Sequence, residues 1–67
     1  MASISVRRMC VVLDKNGFIF QRQNGSHRIF FRTVDKRRVT VPIHPGDLRI
    51  TTLRSILKQS GLSLEEV

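Results

Sequence analysis

Apolar residues recur along the chain with two different periods. Across residues 5–16, Val6, Met9, Cys10 and Leu13 fall at i, i+3, i+4 and i+7, one face of a helix. Ser3 or Ser5 can cap its start. Lys15 lies where the helix dipole favours a cation, and Gly17 suits the left-handed residue just past the end. The period then changes to two. Residues 18–23 read as a strand, Asn24-Gly25 as a two-residue hairpin turn, and residues 26–33 as the returning strand. That register sets Gln23 opposite Ser26, Arg22 opposite His27, Phe20 opposite Ile29 and Phe18 opposite Phe31. Phe18, Phe20, Ile29 and Phe31 then share the core face, with Arg22 and His27 as the next pair toward the turn. The other face carries Gln21, Gln23, Arg28, Phe30 and Arg32.

Residues 34–37 form a second turn and residues 38–43 a third strand, with Val39, Val41 and Ile43 inward. Pro42 cannot donate to a ladder, which confines it to an edge or a strand end. His44-Pro45-Gly46-Asp47 is a loop. Thr51 or Thr52 caps a second helix, with Leu53, Ile56 and Leu57 at core spacing, and Gly61 ends it. Ser63 and Glu66 have capping-box spacing and predict a short closing turn. The fold class is α+β: helix, three-stranded antiparallel meander, helix. Both helices bury their stripes on one face of the sheet. This is the layout of a double-stranded RNA-binding domain, and the open face of the sheet is expected to be basic.

Length and charge narrow the function. The 67 residues make one domain, 1–67, too small for a deep cofactor cleft. Twelve Lys and Arg against five Asp and Glu give a net charge of +7, which favours a polyanionic partner. Hydrophobic residues, 40% of the chain, alternate with the basic ones, a folding composition rather than a disordered tail. The apolar run at residues 9–13 is too short for a signal peptide or a membrane span, so a cytoplasmic protein with no membrane partner is expected. Cys10 stands alone and reads as a small buried apolar residue. Cys10, His27 and His44 lack a fourth zinc ligand, and Asp14, Asp35 and Asp47 have no metal-ligand spacing. No metal or cofactor is expected.

The basic residues group by position. Arg28 and Arg32 fall on the expected open face, and Lys36, Arg37 and Arg38 cluster at the second turn. Within residues 21–38 only Asp35 is acidic, so the positive field there is nearly uncancelled. With three of the four phenylalanines in the core, Phe30 is left as the single stacking platform, which points to phosphate contacts more than base reading. RNA cleavage needs no cofactor if a base removes the 2′-hydroxyl proton and a cation offsets the charge on the phosphorane. His27 is the candidate base and Arg22 the candidate cation. His44 is a loop residue and a possible second proton-transfer group. Ser26 has no visible triad and is a secondary candidate only.

Asn16-Gly17-Phe18, Arg22-Gln23-Asn24-Gly25-Ser26-His27, Val39-Thr40-Val41-Pro42-Ile43-His44 and the run at residues 52–63 are read together. Their order and spacing resemble the HicA (YcfA-like) toxins, small mRNA interferases of type II toxin–antitoxin systems. The resemblance spans nearly the whole chain. It implies a double-stranded RNA-binding-domain-like fold, mRNA as substrate, and neutralisation by a cognate HicB-like antitoxin. It also implies a catalytic histidine in Gly-Ser-His, which falls on His27. Arg28 stands where many relatives carry a second histidine. A toxin of this size is expected to be a monomer alone and part of a larger hetero-oligomer with its antitoxin. Two other readings stay open: a noncatalytic RNA-binding module, and a structural subunit that meets an acidic protein.

Overall fold

The computed structural model describes residues 4–63 and 65. The chain runs α1 (Val6–Lys15), β1 (Ile19–Asn24), β2 (His27–Arg32), β3 (Arg37–Pro42) and α2 (Ile50–Ser60). The strands form one antiparallel sheet in the order β1-β2-β3. This is the α+β architecture expected of the pattern.

Helix α1 starts where Ser5 accepts a hydrogen bond from the Arg8 N–H at 3.0 Å, and Ser3 lies outside the described residues. Val6, Met9 and Leu13 are buried as their spacing requires, and Val12 joins them. Helix α2 begins one residue before Thr51, with Arg49 at its cap and no capping side chain. Neither threonine caps it. Leu53 and Ile56 carry its buried face, and Leu57 packs against the core while partly exposed. Gly61 takes a φ of 76° and returns its N–H to the Leu57 carbonyl at 2.8 Å. The closing turn expected of Ser63 and Glu66 depends on Glu66, which lies outside the described residues.

The register of the first hairpin differs from the expectation. Gly25 and Ser26, not Asn24 and Gly25, are the central turn residues, and Asn24 pairs with His27. Gly25 has a φ of 62°, which fits the first central position of a type II′ turn, where glycine is favoured. A bulge then inserts Gln21 between the pairs Arg22–Ile29 and Phe20–Phe30. A slip of one residue moves every side chain to the other face. Phe30 therefore joins Phe18, Val39, Val41, Met9, Leu13, Leu53 and Ile56 in the core. Phe31 turns away from the helices. Phe20 meets Phe30 edge-on, centroids 5.9 Å apart, yet is half exposed at the sheet margin.

The slip also redefines the arginines. Arg32 lies on the helix side with its guanidinium 4.4 Å from the Phe18 ring centroid. It donates to the Asn16 carbonyl at 2.9 Å, to the Ser60 carbonyl at 3.4 Å, and to both oxygens of Asp35 at 3.0 and 2.7 Å. Arg37 donates to the Gln59 carbonyl at 3.1 Å and reaches Asp35 at 3.0 Å. Asn16, Gln59 and Ser60 are at the carbonyl ends of α1 and α2. Two cations thus neutralise both negative helix ends, and Asp35 ties the cations together. The glycines at these ends leave room for them. A Cβ on Gly61 would lie 3.0 Å from the Arg37 guanidinium carbon, and one on Gly17 would lie 3.3 Å from the Arg32 Cδ.

Hydrogen bonds from Arg32 hold the Asp35 carboxyl at about 2, below its ordinary 3.8. The folded protein therefore binds that proton less readily than the unfolded chain. The clamp's stabilisation is complete above about pH 4 and is lost as pH falls toward 2. Asp35→Asn is expected to lower Tm at neutral pH, with the gap to wild type shrinking steadily below pH 4. Thermal melts from pH 7 to pH 2 check this, and a gap that stays constant would contradict the clamp.

Candidate functional site

The alternation of each strand sorts the polar residues onto two sides of the sheet. On the face turned from the helices, His27, Ile29 and Phe31 lie along β2. They are flanked by Asn24, Arg22 and Ile19 on β1 and by Pro42, Thr40 and Arg38 on β3. On the helix side, Arg28, Phe30 and Arg32 lie along β2, opposite Val41, Val39 and Arg37.

His27 opens β2 directly after the turn and is exposed. Its direct neighbours across the sheet are Asn24 and Pro42. The expected direct pair of Arg22 with His27 is not formed, because Arg22 stands opposite Ile29. Arg22 is instead the diagonal neighbour of His27 on the same face, the offset at which long side chains still reach each other. Arg38, at the far end of this face, places its guanidinium 5.6 Å from the Phe31 ring centroid. Lys36 is exposed in the loop at residues 33–36, at a φ of 55°.

Three expected site residues fall elsewhere. Arg28 projects to the helix side, where it lines a groove along α1 with Arg7, Cys10, Asp14 and His44. Arg32 and Arg37 are both engaged in the clamp described above, Arg32 on the helix side and Arg37 with its side chain still 43% exposed. Phe30 is buried and cannot stack a base. That role is open to Phe31, which the expected register had placed in the core. Cys10 is only partly buried, packing on the core while lining the groove. His44 holds the Pro45 carbonyl at 3.1 Å through Nδ1. The structure thus sets His27 and His44 on opposite sides of one sheet end. That end is tied by the Ile43 N–H donating to the Ser26 carbonyl at 2.6 Å. Ser26 itself sits in the turn.

Among the described residues no group of three or more His, Cys, Asp or Glu could hold a metal ion. No helix among them is long and apolar enough to cross a membrane. Chemically, the open face offers one accessible imidazole, two arginines and a partly exposed aromatic ring. The signal for this arrangement was the alternation of β3. With Arg32 opposite Arg37, Val39 must meet Phe30, and the odd residues of β2 must face outward.

A comparison with curated proteins returns no match. The family model described as the HicA toxin of bacterial toxin–antitoxin systems matches residues 6–62. That span takes in both helices, all three strands, the Gly25-Ser26-His27 turn and the loop that carries His44. The chain belongs to the HicA toxin family and is a toxin of a toxin–antitoxin system.

Proposed function

We propose that this toxin is an endoribonuclease that cuts mRNA on the open face of its sheet, with His27 as general base. The observation that carries the reading is the position of His27. It is exposed at the start of β2, on the same uncovered face as Arg22 and Arg38. An imidazole there can take the proton of a ribose 2′-hydroxyl. The freed oxygen attacks the adjacent phosphorus, and the 5′-oxygen leaves, taking a proton from water. Arg22, diagonal to His27, offsets the charge that grows on the non-bridging oxygens. Arg38 and Lys36 hold the strand along the face, and Arg28 adds positive potential at the turn end. The products are a 2′,3′-cyclic phosphate and a 5′-hydroxyl. Cleaving mRNA would inhibit translation and growth, and a HicB-like antitoxin would neutralise the toxin by binding it. The free toxin is a monomer in this reading, and the neutralised one part of a larger hetero-oligomer.

A short RNA with one 2′-deoxy nucleotide at the cut position tests the chemistry. The substituted RNA is expected to resist cleavage at that bond while neighbouring sites are still cut, and a chelator should leave the rate unchanged. Cleavage at the 2′-deoxy position at the normal rate would rule out attack by the 2′-oxygen.

A further inference from the structure

We infer that Phe31 and its neighbours form a base-binding subsite, which stacks one base of the single-stranded RNA whose cleavage is proposed at His27. The inference rests on that ribonuclease reading. Phe31 is partly exposed in the middle strand and faces away from both helices, because its neighbour Phe30 fills the core. Ile19 flanks it on β1 and Arg38 on β3. The Arg38 guanidinium lies over the ring, its carbon 5.6 Å from the centroid, so a planar cation holds one face of the aromatic ring. A shallow depression beside the ring is lined by Ile19, Phe20, Gln21, Phe31 and Thr33.

Two of those residues carry polar groups suited to a base edge. Gln21 is the bulged residue, with no partner in the β1–β2 ladder. Its side-chain amide both donates and accepts, as does the hydroxyl of Thr33. A ring and two polar side chains around one hollow, with a guanidinium held against the ring from the neighbouring strand, are the parts with which sheet surfaces hold unpaired bases. Charge selects the occupant. The strand positions on this face carry Arg22 and Arg38 and no acidic residue, on a chain of net charge +7. A single RNA strand supplies both the negative backbone and the planar bases that such a surface accepts.

Spacing relates the subsite to the cut. His27 and Phe31 are four residues apart on one face of β2, about 13 Å at the rise of a strand. That is farther than a base lies from its own phosphate. The stacked base therefore belongs to a different nucleotide from the one attacked, and Phe31 sets sequence context at a distance from the scissile bond.

The test uses single-stranded RNA with 2′-O-methyl groups throughout, so that it cannot be cut, and 2-aminopurine placed at each position in turn. Stacking on an aromatic ring quenches 2-aminopurine. Wild type and His27→Ala are both expected to quench it most strongly at one position. Phe31→Leu should lose that quenching and bind about tenfold or more weakly. Phe31→Trp keeps a planar ring, and should retain the quenching and bind at least as tightly as wild type. Binding by wild type without position-dependent quenching would overturn the subsite. So would unchanged affinity and quenching in folded Phe31→Leu, or weakened binding in Phe31→Trp. Normal cleavage of unmodified RNA by His27→Ala would instead remove the catalytic reading and leave the stacking result standing.

Discussion

His27→Ala is expected to fold like the wild type and to cleave RNA at least about 100-fold more slowly, the usual scale for removing a general base. The two halves of that expectation have separate physical grounds. His27 is exposed, so its removal opens no cavity and strands no buried partner. Surface changes of this kind alter stability by about 0.5 kcal/mol or less. The rate effect follows from the chemistry, since no other imidazole lies on this face. His44 is across the sheet end in the α1 groove, and His44→Ala is expected to stay within a few-fold of wild type. Arg22→Ala should fall between the two. Single-turnover cleavage of one short RNA by all four proteins checks this order. A large loss with His44→Ala and none with His27→Ala would move the chemistry to the groove that holds Arg28 and Arg7.

Arg32→Ala is expected to produce the largest loss of stability among the arginine variants, about 3 kcal/mol, without changing RNA affinity of the folded fraction. Arg32 packs on the Phe18 ring and links the ends of α1, α2 and the loop that holds Asp35. Truncation takes the bidentate partner from the Asp35 carboxylate and leaves two helix-end carbonyls short of a donor. In a domain this small each kcal/mol is worth about 4–8 °C, so Tm should fall by more than 10 °C. Arg38→Ala should do the reverse, with Tm nearly unchanged and RNA binding weakened. Thermal melts paired with RNA titration at low temperature check both. A stable Arg32→Ala that binds RNA poorly would return Arg32 to the nucleic-acid surface.

The contrast between these arginines marks how far the sequence could be read. Element order, the Ser5 cap, the glycines after both helices and the inward Val39 and Val41 all follow from local pattern, and all are present. The face of β2 does not follow from local pattern. Its odd residues include Ile29 and Phe31 and its even ones Arg28 and Arg32, so hydrophobicity alone turns it the wrong way. What decides the matter is non-local. Arg32 must reach the ends of two helices, and its stem covers Phe18 while its head neutralises carbonyls. Asn24-Gly25 signalled a turn correctly, but glycine occupies the first central position, which shifts the pairing by two residues at the turn, and the bulge at Gln21 reduces that to one, so Phe20 meets Phe30 rather than Ile29. The candidate site inherited that error in part. His27 and Arg22 share a face as expected but are not direct partners, whereas Arg28, Arg32 and Phe30 exchanged sides with Phe31.

Whether His27 cuts mRNA is read by expressing the wild type and His27→Ala under control in a bacterial host and mapping the 5′ ends of host mRNA. Growth arrest and new internal mRNA ends bearing 5′-hydroxyls are expected with the wild type, and neither with an equally abundant, folded His27→Ala. The same new ends with both proteins would contradict this role for His27.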